Sequence, residues 1–186
     1  MIGNDIIDLE IARAERKSEN IRYMSKVFSE EEMNQIINSN DPELCLWKLW
    51  AMKETAYKAH QRSFDLPRKL NPKAFSCVLD ISNSGGKVSI DDSVYDIELN
   101  ITSGYLHATS SSEKVSKNVF QINKDSAFDL ITVITDNYHF TTEDFSIKKN
   151  AHGIPSIVAE DHSIEIPFSL SHHGKFTAFA IPLINS

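Results

Sequence analysis

A predicted helix that carries charged side chains within an apolar segment is the feature that most constrains this fold. An Asp-Pro pair at its start predicts a helix over residues 42–61. Residues 50–58 read WAMKETAYK, which places Lys53, Glu54 and Lys58 among tryptophan, alanine, methionine and tyrosine. A charge is costly to bury unless an opposite charge or several hydrogen bonds compensate it. The helix therefore needs specific partners for these three side chains.

Helix periodicity alone leaves two interpretations of these charges. Glu54 and Lys58 are four positions apart, so they share a face and fit an intrahelical ion pair. Lys53 fits a surface lysine whose stem covers apolar neighbours. The alternative is a functional site, which the two tryptophans and the tyrosine of the same segment favour.

The rest of the chain predicts helices first and strands later. Residues 6–24 are expected to begin as a strand and to continue as one helix, and residues 28–37 carry a capping-box pattern. Alternating apolar residues predict an antiparallel meander over 74–110. Another helix is expected over 126–140, and two short strands over 168–181. Because helices and strands are segregated rather than alternating, the predicted fold class is α+β.

The composition excludes several classes of protein. The 186 residues suffice for one compact domain or two small subdomains. A formal net charge of -7 argues against a general nucleic-acid or anionic-membrane binder. Cys45 and Cys77 lie in apolar segments without metal-site spacing, so we expect free thiols in a reducing compartment. Neither a signal-peptide pattern nor a membrane span is visible, so the expected protein is soluble and cytoplasmic.

The segment GNDIID, residues 3–8, places acids inside an apolar strand. On a strand, Asp5 and Ile7 face one side, whereas Ile6 and Asp8 face the other. An acid in this setting lies either at a sheet edge or against a cation. A surface turn or a helix cap is the alternative that the residues leave open.

The segment SLSHHG, residues 169–174, is a third candidate for chemistry. A zinc site is disfavoured because no cysteine or third histidine lies at a useful spacing. A nucleophilic pair of Ser171 and His172 is also disfavoured, because neighbouring side chains on a strand point in opposite directions. Phosphate binding by a hydroxyl and an imidazole is the better functional interpretation.

Together these segments resemble the 4'-phosphopantetheinyl transferase superfamily. The family helix reads W-x-x-K-E-x-x-x-K, and residues 50–58 match it at every fixed position. GND at 3–5 is similar to the G-x-D motif, and GIP at 153–155 with FSLSH at 168–172 is similar to the remaining motifs. Residues 64–78 also look like the loop and strand after the family helix. The resemblance implies an enzyme that transfers 4'-phosphopantetheine from coenzyme A to a serine of an apo acyl or peptidyl carrier protein and releases adenosine 3',5'-bisphosphate.

The resemblance also assigns roles to individual residues. Asp5 and Glu54 are expected to bind Mg²⁺, with Mn²⁺ as an alternative, and Asp8 is a weaker third member that acts through water. Glu54 and Lys58 are the expected catalytic residues. Lys58 contacts the pyrophosphate, and either Glu54 or a metal-bound water takes the proton of the serine. Lys53 is assigned to coenzyme A binding with the rest of its motif.

The nucleotide side of the implied site is less regular. Ser171 and His172 are expected to hold a phosphate there. Ile154 stands where the family's G-K-P motif has a lysine, for which the lysines at 148–149 are candidate substitutes, and Ile7 stands where the longer family type has a second acid. These departures support an alternative function, a catalytically impaired homologue that binds coenzyme A or a nucleotide.

Motif order and chain length imply an architecture within the family. Residues 1–110 are similar to the second half of the longer family type, and residues 125–181 are similar to its first half. The expected halves of the chain are 1–115, with the metal site, and 116–186, with the S-H motif. We therefore expect a permuted pseudo-dimer with two related subdomains of antiparallel strands packed on helices, complete as a monomer. A trimeric subunit of the short family type is the alternative.

A basic segment downstream of Asp5 is the expected docking site of an acidic carrier protein. If residues 12–26 are helical, Arg13, Arg16 and Lys17 share a face at i, i+3 and i+4. A solvated face balanced by neighbouring glutamates is the alternative. Neither nucleic acid nor a membrane is an expected partner, and the carrier's pathway, whether fatty-acid, polyketide or peptide synthesis, stays open.

Overall fold

A computed structural model of the chain describes residues 1–82, 84–112, 114–121, 145–159 and 165–183. The helices in these ranges are α1 (Leu9–Glu15), α2 (Ile21–Val27), α3 (Glu30–Ile37) and α4 (Pro42–Phe64). The strands of the first sheet are β1 (Ile2–Asp8), β2 (Ser76–Leu79), β3 (Gly85–Ile90), β4 (Ser93–Ile101) and β5 (Tyr105–Ser111). The remaining strands are β6 (Val115–Gln121), β7 (Phe145–Lys149), β8 (Pro155–Ala159), β9 (Glu165–Pro167), β10 (Ser169–His173) and β11 (Phe176–Pro182).

Helix α4 lies against a five-stranded antiparallel sheet with the order β1-β5-β4-β3-β2. The Asp41 side chain accepts a hydrogen bond from the Leu44 backbone N–H at 3.0 Å, which fixes the start of the helix as the sequence predicts. Asp65 ends it in a left-handed conformation. The main apolar core lies between α4 and the sheet, with Leu46 and Met52 fully buried. Strands β2 to β5 are consecutive neighbours, so the predicted meander is confirmed.

The second half of the described chain forms two three-stranded antiparallel sheets, with the orders β10-β11-β6 and β7-β8-β9. Strands β10 and β11 pack against β1, where Ile6 shares a buried cluster with Phe176 and Ala178. A separate apolar cluster includes Phe168 and Phe179, both fully buried. The α+β fold class is therefore confirmed, with antiparallel sheets packed with helices. The boundary between 115 and 116 and the permuted pseudo-dimer stay predictions.

The single helix predicted after β1 is wrong. Helix α1 ends at Arg16, which has a left-handed φ of 49°, and a 3₁₀ turn over Lys17–Glu19 precedes α2. The Glu43 carboxylate accepts hydrogen bonds from the backbone N–H groups of Lys17 and Ser18 at 3.0 and 2.9 Å. These bonds offer the backbone an alternative to helical pairing. Arg13, Arg16 and Lys17 therefore do not share one helix face.

Cys45 and Cys77 are both buried free thiols, as predicted. The helix expected over 126–140 lies outside the described residues. Among the helices of the described ranges, none has the length and apolar character needed to cross a membrane.

Candidate active site

Strand β1 and helix α4 bring two of the predicted site residues, Asp5 and Lys58, together. Gly3 permits the approach, because a side chain there would place its Cβ 2.1 Å from the Thr55 carbonyl oxygen of α4. Asp5 then faces α4, and the Lys58 ammonium donates to Asp5 Oδ1 at 3.0 Å and to the Asn4 carbonyl oxygen at 2.9 Å. The ion pair is largely buried, with side-chain exposures of 25% for Lys58 and 12% for Asp5. The strand register thus delivers the predicted orientation of Asp5.

Glu54 is the second carboxyl of this cluster. Burial first, and then the negative charge of Asp5, raise the pKa of Glu54 to about 7, whereas Lys58 and Arg68 oppose the rise. Burial also raises the pKa of Asp5, and the Lys58 ammonium opposes that effect. Each carboxyl therefore favours its neutral form more than an exposed acid does. One further cation between the two would stabilise both in their ionised form.

The residues at this position fit a divalent cation of the magnesium type. Mg²⁺ prefers one or two protein carboxylates and completes its octahedron with water and substrate phosphates. The Glu54 carboxylate makes no hydrogen bond or ion pair to any described residue, so it is available as a ligand. Across the described ranges, no group of three or more His, Cys, Asp or Glu side chains is gathered as in a complete metal cage. Two carboxylates suit a metal that is shared with a phosphorylated substrate.

The structure does not bring Asp8 to this cluster. Its carboxylate is the N-cap of α1, where Oδ1 accepts from the backbone N–H of Glu10 at 3.0 Å. Its other oxygen, Oδ2, accepts from the Lys175 backbone N–H at 3.2 Å. Asp8 is buried on the face of β1 opposite to Asp5, as strand alternation predicts. Asp8 is therefore a helix cap, which is one of the alternatives that the sequence left open.

Lys53 also lies apart from the carboxyl pair. Its side chain is fully buried, and its ammonium forms an ion pair with Glu32 Oε1 at 2.9 Å. The same ammonium donates to the carbonyl oxygens of Pro72, at 3.0 Å, and Phe75. These contacts join α4 to α3 and to the turn before β2. They are the partners that the sequence left unidentified, and they leave Lys53 engaged within the protein.

The S-H motif is divided between two faces of β10. Ser171 is buried, and its hydroxyl accepts from Asn4 Nδ2 at 3.1 Å. His172 is exposed on the opposite face, which agrees with the argument against a Ser-His nucleophile. His173 points back toward β1, where its Nδ1 accepts from the Asp8 backbone N–H at 2.8 Å. The structure therefore separates the two residues that the sequence paired for phosphate binding.

Sequence reasoning missed a buried polar group between the two sheets. Asn4 is fully buried, and its Nδ2 lies 3.2 Å from His107 Nε2. Burial, helped by the Lys117 ammonium, lowers the pKa of His107 to about 4, so this imidazole is neutral at physiological pH. Strand alternation already places Asn4 opposite Asp5. Only the packing of the second sheet shows what Asn4 contacts.

The structure also shows the surroundings of Ile154, which stands in place of the G-K-P lysine. Ile154 is buried, and its backbone N–H donates to Asn150 Oδ1 at 3.0 Å. Asn150 Nδ2 in turn donates to Asp65 at the end of α4, at 2.8 Å. The loop is thus attached to α4 by its polar side chains, while the isoleucine packs inward. A buried isoleucine supplies no phosphate contact.

The fold and the site together define a class of protein. It is an α+β protein in which two carboxyls and a lysine lie together, and such a group suits a cation and a phosphorylated substrate. Residues 1–115 match the model of the 4'-phosphopantetheinyl transferase superfamily, and the chain belongs to that superfamily. Phosphopantetheinyl transfer is the activity of this family, and coenzyme A is its substrate. A search of curated proteins found no match to the chain.

Proposed function

We propose that the protein is a holo-[acyl-carrier-protein] synthase type of transferase. It would move 4'-phosphopantetheine from coenzyme A to a serine of an apo acyl or peptidyl carrier protein and release adenosine 3',5'-bisphosphate. The observation that carries this proposal is the convergence of Asp5, Glu54 and Lys58, with both carboxyl pKa values raised. A protein that only packs its core has no reason to hold two acids in this arrangement.

The proposed reaction is a displacement at phosphorus. The serine oxygen forms a bond to the phosphorus that carries pantetheine, and the bond from that phosphorus to the bridging oxygen breaks. The nucleotide leaves with the bridging oxygen, and the serine proton passes to a base. Either Glu54 or a metal-bound water would take this proton.

Charge neutralisation is the main requirement of such a displacement. Mg²⁺, with Mn²⁺ as an alternative, would be held by Asp5 and Glu54 and would neutralise the pyrophosphate. Lys58 adds a positive charge that is already oriented by Asp5. The exposed His172 is proposed to meet a phosphate of the nucleotide on the second sheet, whereas the buried Ser171 hydroxyl is bonded to Asn4. Asp8 is left out of this mechanism, because amides occupy both of its oxygens.

The carrier protein is proposed to dock at the basic segment after β1. The Arg16 guanidinium is exposed and pairs with Glu19, and Lys17 lies 3.7 Å from a Glu15 oxygen. Arg13, by contrast, forms no ion pair with any described residue. Arg13 and Arg16 line a groove of about 440 Å³ that also contains the exposed Ile37. Glu19, Asp41 and Glu43 line the same groove, so the attraction of an acidic partner would rest on Arg13.

The remaining parts of the proposal concern location and assembly. We propose a cytoplasmic enzyme that is complete as a monomer and that serves fatty-acid, polyketide or peptide synthesis. Sedimentation measures the assembly directly. A trimer whose activity returns when Asp5 and His172 variants are mixed would instead support a site shared between subunits.

A mass measurement tests the proposed activity. The protein is incubated with coenzyme A, Mg²⁺ and an apo carrier, and the carrier should gain the mass of one phosphopantetheine. Asp5→Ala and Glu54→Gln should abolish the gain, while Asp96→Asn, which changes an exposed acid of β4, should retain it. Turnover that survives either site variant at saturating Mg²⁺ would show that the site is misassigned.

A second function is favoured by the buried Ile154 and by Ile7, which stand where the family types have a lysine and an acid. The protein would then bind coenzyme A without transferring its arm. Binding of coenzyme A in calorimetry, together with an unchanged carrier mass for several apo carriers, would select this alternative.

A further inference from the structure

The free edge of the first sheet is covered by side chains rather than by another strand. Strand β1 is an edge strand, so its outward N–H groups lack a β-sheet partner. The Asn4 backbone N–H donates to Ser169 Oγ at 3.0 Å, and the Asp8 backbone N–H donates to His173 Nδ1 at 2.8 Å. Ser169 and His173 are four positions apart on β10, which matches the separation of their partners on β1. Side chains of the second half of the chain therefore hold the strand that carries Asp5.

His173 also reaches the face of α4 on which the candidate site lies. Its ring packs against Trp47, with the ring centroids 5.7 Å apart. Trp47 lies two helical turns before Glu54, so both side chains project from the same face of α4. One imidazole thus contacts the metal-site strand and the metal-site helix.

The hydrogen bond to Asp8 determines which nitrogen carries the proton. Because Nδ1 accepts from a backbone N–H, a neutral His173 must carry its proton on Nε2. Within the described part of the chain, Nε2 has no hydrogen-bond partner, and the side chain is half-buried. His173 therefore presents an oriented donor at the edge of a site whose substrate is a pyrophosphate.

The hairpin that carries this ring is held firmly in place. Gly174 has a φ of 57°, and a Cβ there would lie 2.3 Å from Asp8 Oδ2. The Lys175 backbone N–H donates to the same Oδ2 at 3.2 Å, and the Lys175 ammonium pairs with Glu10 at 2.7 Å. A donor on such a clamped hairpin needs little ordering when a ligand binds.

We propose that His173 is a substrate-contact residue: its Nδ1 holds the end of the strand that carries Asp5, and its Nε2–H donates to a phosphate oxygen of coenzyme A. This inference rests on the proposed function. It adds a phosphate contact from His173 to the one that the proposed function assigns to His172. An N–H donor that is already oriented meets the anion with little further ordering of its side chain.

Nuclear magnetic resonance of protein with ¹⁵N-labelled histidine tests the proposal without any activity. In the free protein, the His173 spectrum should show the tautomer protonated on Nε2. Addition of adenosine 3',5'-bisphosphate or coenzyme A should shift the Nε2 resonance, while Nδ1 keeps its acceptor signature. An Nε2 resonance that stays unchanged at saturating coenzyme A would overturn the proposal.

Two substitutions separate the two nitrogens. His173→Asn keeps an acceptor near the Nδ1 position and lacks the distal donor, so the melting temperature should stay close to that of the wild type while the Kd for coenzyme A rises at least fivefold. His173→Gln places an amide N–H near the Nε2 position, so it should recover part of the affinity and lose stability instead. Calorimetry is run at a temperature at which each variant is folded.

His172→Asn is the comparison that the sequence pattern demands. If only this variant weakens coenzyme A binding and His173→Asn binds as the wild type does, the inference is overturned while the proposed function stands. If the wild type binds no coenzyme A at all, the proposed function fails first. The two failures are therefore distinguishable in one set of titrations.

Discussion

Replacement of Lys53 by methionine tests whether this lysine serves the fold or the substrate. The family motif assigns it to coenzyme A binding, yet its ammonium is fully buried against Glu32 Oε1 at 2.9 Å. Methionine keeps a chain of similar shape and removes the charge. The glutamate would then be a buried anion without a counter-ion, and two backbone carbonyl oxygens would lose their donor.

The magnitude follows from these lost contacts. Removal of one partner from a buried ion pair costs about 3–5 kcal/mol. Glu32 keeps hydrogen bonds from the backbone N–H groups of Ser29 and Cys77, both at 2.9 Å. Because these bonds stabilise its charge, we expect the cost of the unpaired Glu32 to lie at the lower end of this range, about 3 kcal/mol. The orphaned carbonyls of Pro72 and Phe75 add about 1–3 kcal/mol each if they stay buried. We expect a total of at least about 5 kcal/mol, which combines about 3 kcal/mol for Glu32 with about 1 kcal/mol for each carbonyl.

Equilibrium unfolding in urea measures this loss. With an m-value of about 2 kcal/mol per molar, the midpoint should fall by roughly 2.5 M or more. Lys48→Met, which changes a half-buried lysine of the same helix without an ion pair in the described structure, should stay within about 0.5 kcal/mol. The double variant Lys53→Met with Glu32→Gln should recover much of the loss, because no uncompensated charge remains.

Binding of coenzyme A supplies the opposing measurement. At a temperature where Lys53→Met is folded, its affinity for coenzyme A should equal that of the wild type within a factor of about two. A variant of unchanged stability that has lost coenzyme A affinity would refute the structural assignment. The family motif would then describe a ligand contact.

Three further predictions concern the candidate site. The free energy of unfolding of the metal-free protein should fall as pH rises from about 4.5 to about 7, because folding raises the pKa of Glu54 from 4.5 to about 7 and makes its ionisation harder. In thermal melts, added Mg²⁺ should reverse this fall above pH 7, and Glu54→Gln should not show it. Lys58→Met should weaken coenzyme A binding several-fold in calorimetry and raise the pKa of Asp5 further, since the ammonium opposes the effect of burial; an unchanged Kd would contradict the pyrophosphate contact. Gly174→Ala should lower the free energy of unfolding by about 1–3 kcal/mol more than Gly153→Ala, because both glycines have positive φ but only Gly174 faces a carboxylate that a Cβ would strike. Equal losses of unfolding free energy in chemical denaturation would show that the clash is relieved.

The start of α4, the meander and the α+β class could be predicted from the sequence because each depends on local chemistry. Asp41 caps the helix through a side chain three residues from the N–H that it binds. Alternation along a strand is equally local, so the prediction that Asp5 and Ile7 share one face of β1 is confirmed; that this face packs on α4 is a finding of the structure. The motif over residues 50–58 identified the family for the same reason, since its spacing is written into consecutive residues.

The tertiary structure decided what each charged or polar group contacts. Lys53 meets Glu32 from another helix, and Asp8 meets a hairpin 167 residues further along the chain. Arg16 leaves the helix because a distant glutamate binds the backbone that follows it. Which of two adjacent histidines turns inward depends on the register of β10 against β1. Periodicity describes which face a side chain occupies, whereas long-range packing determines what lies opposite that face, and here it selects the residues available for chemistry.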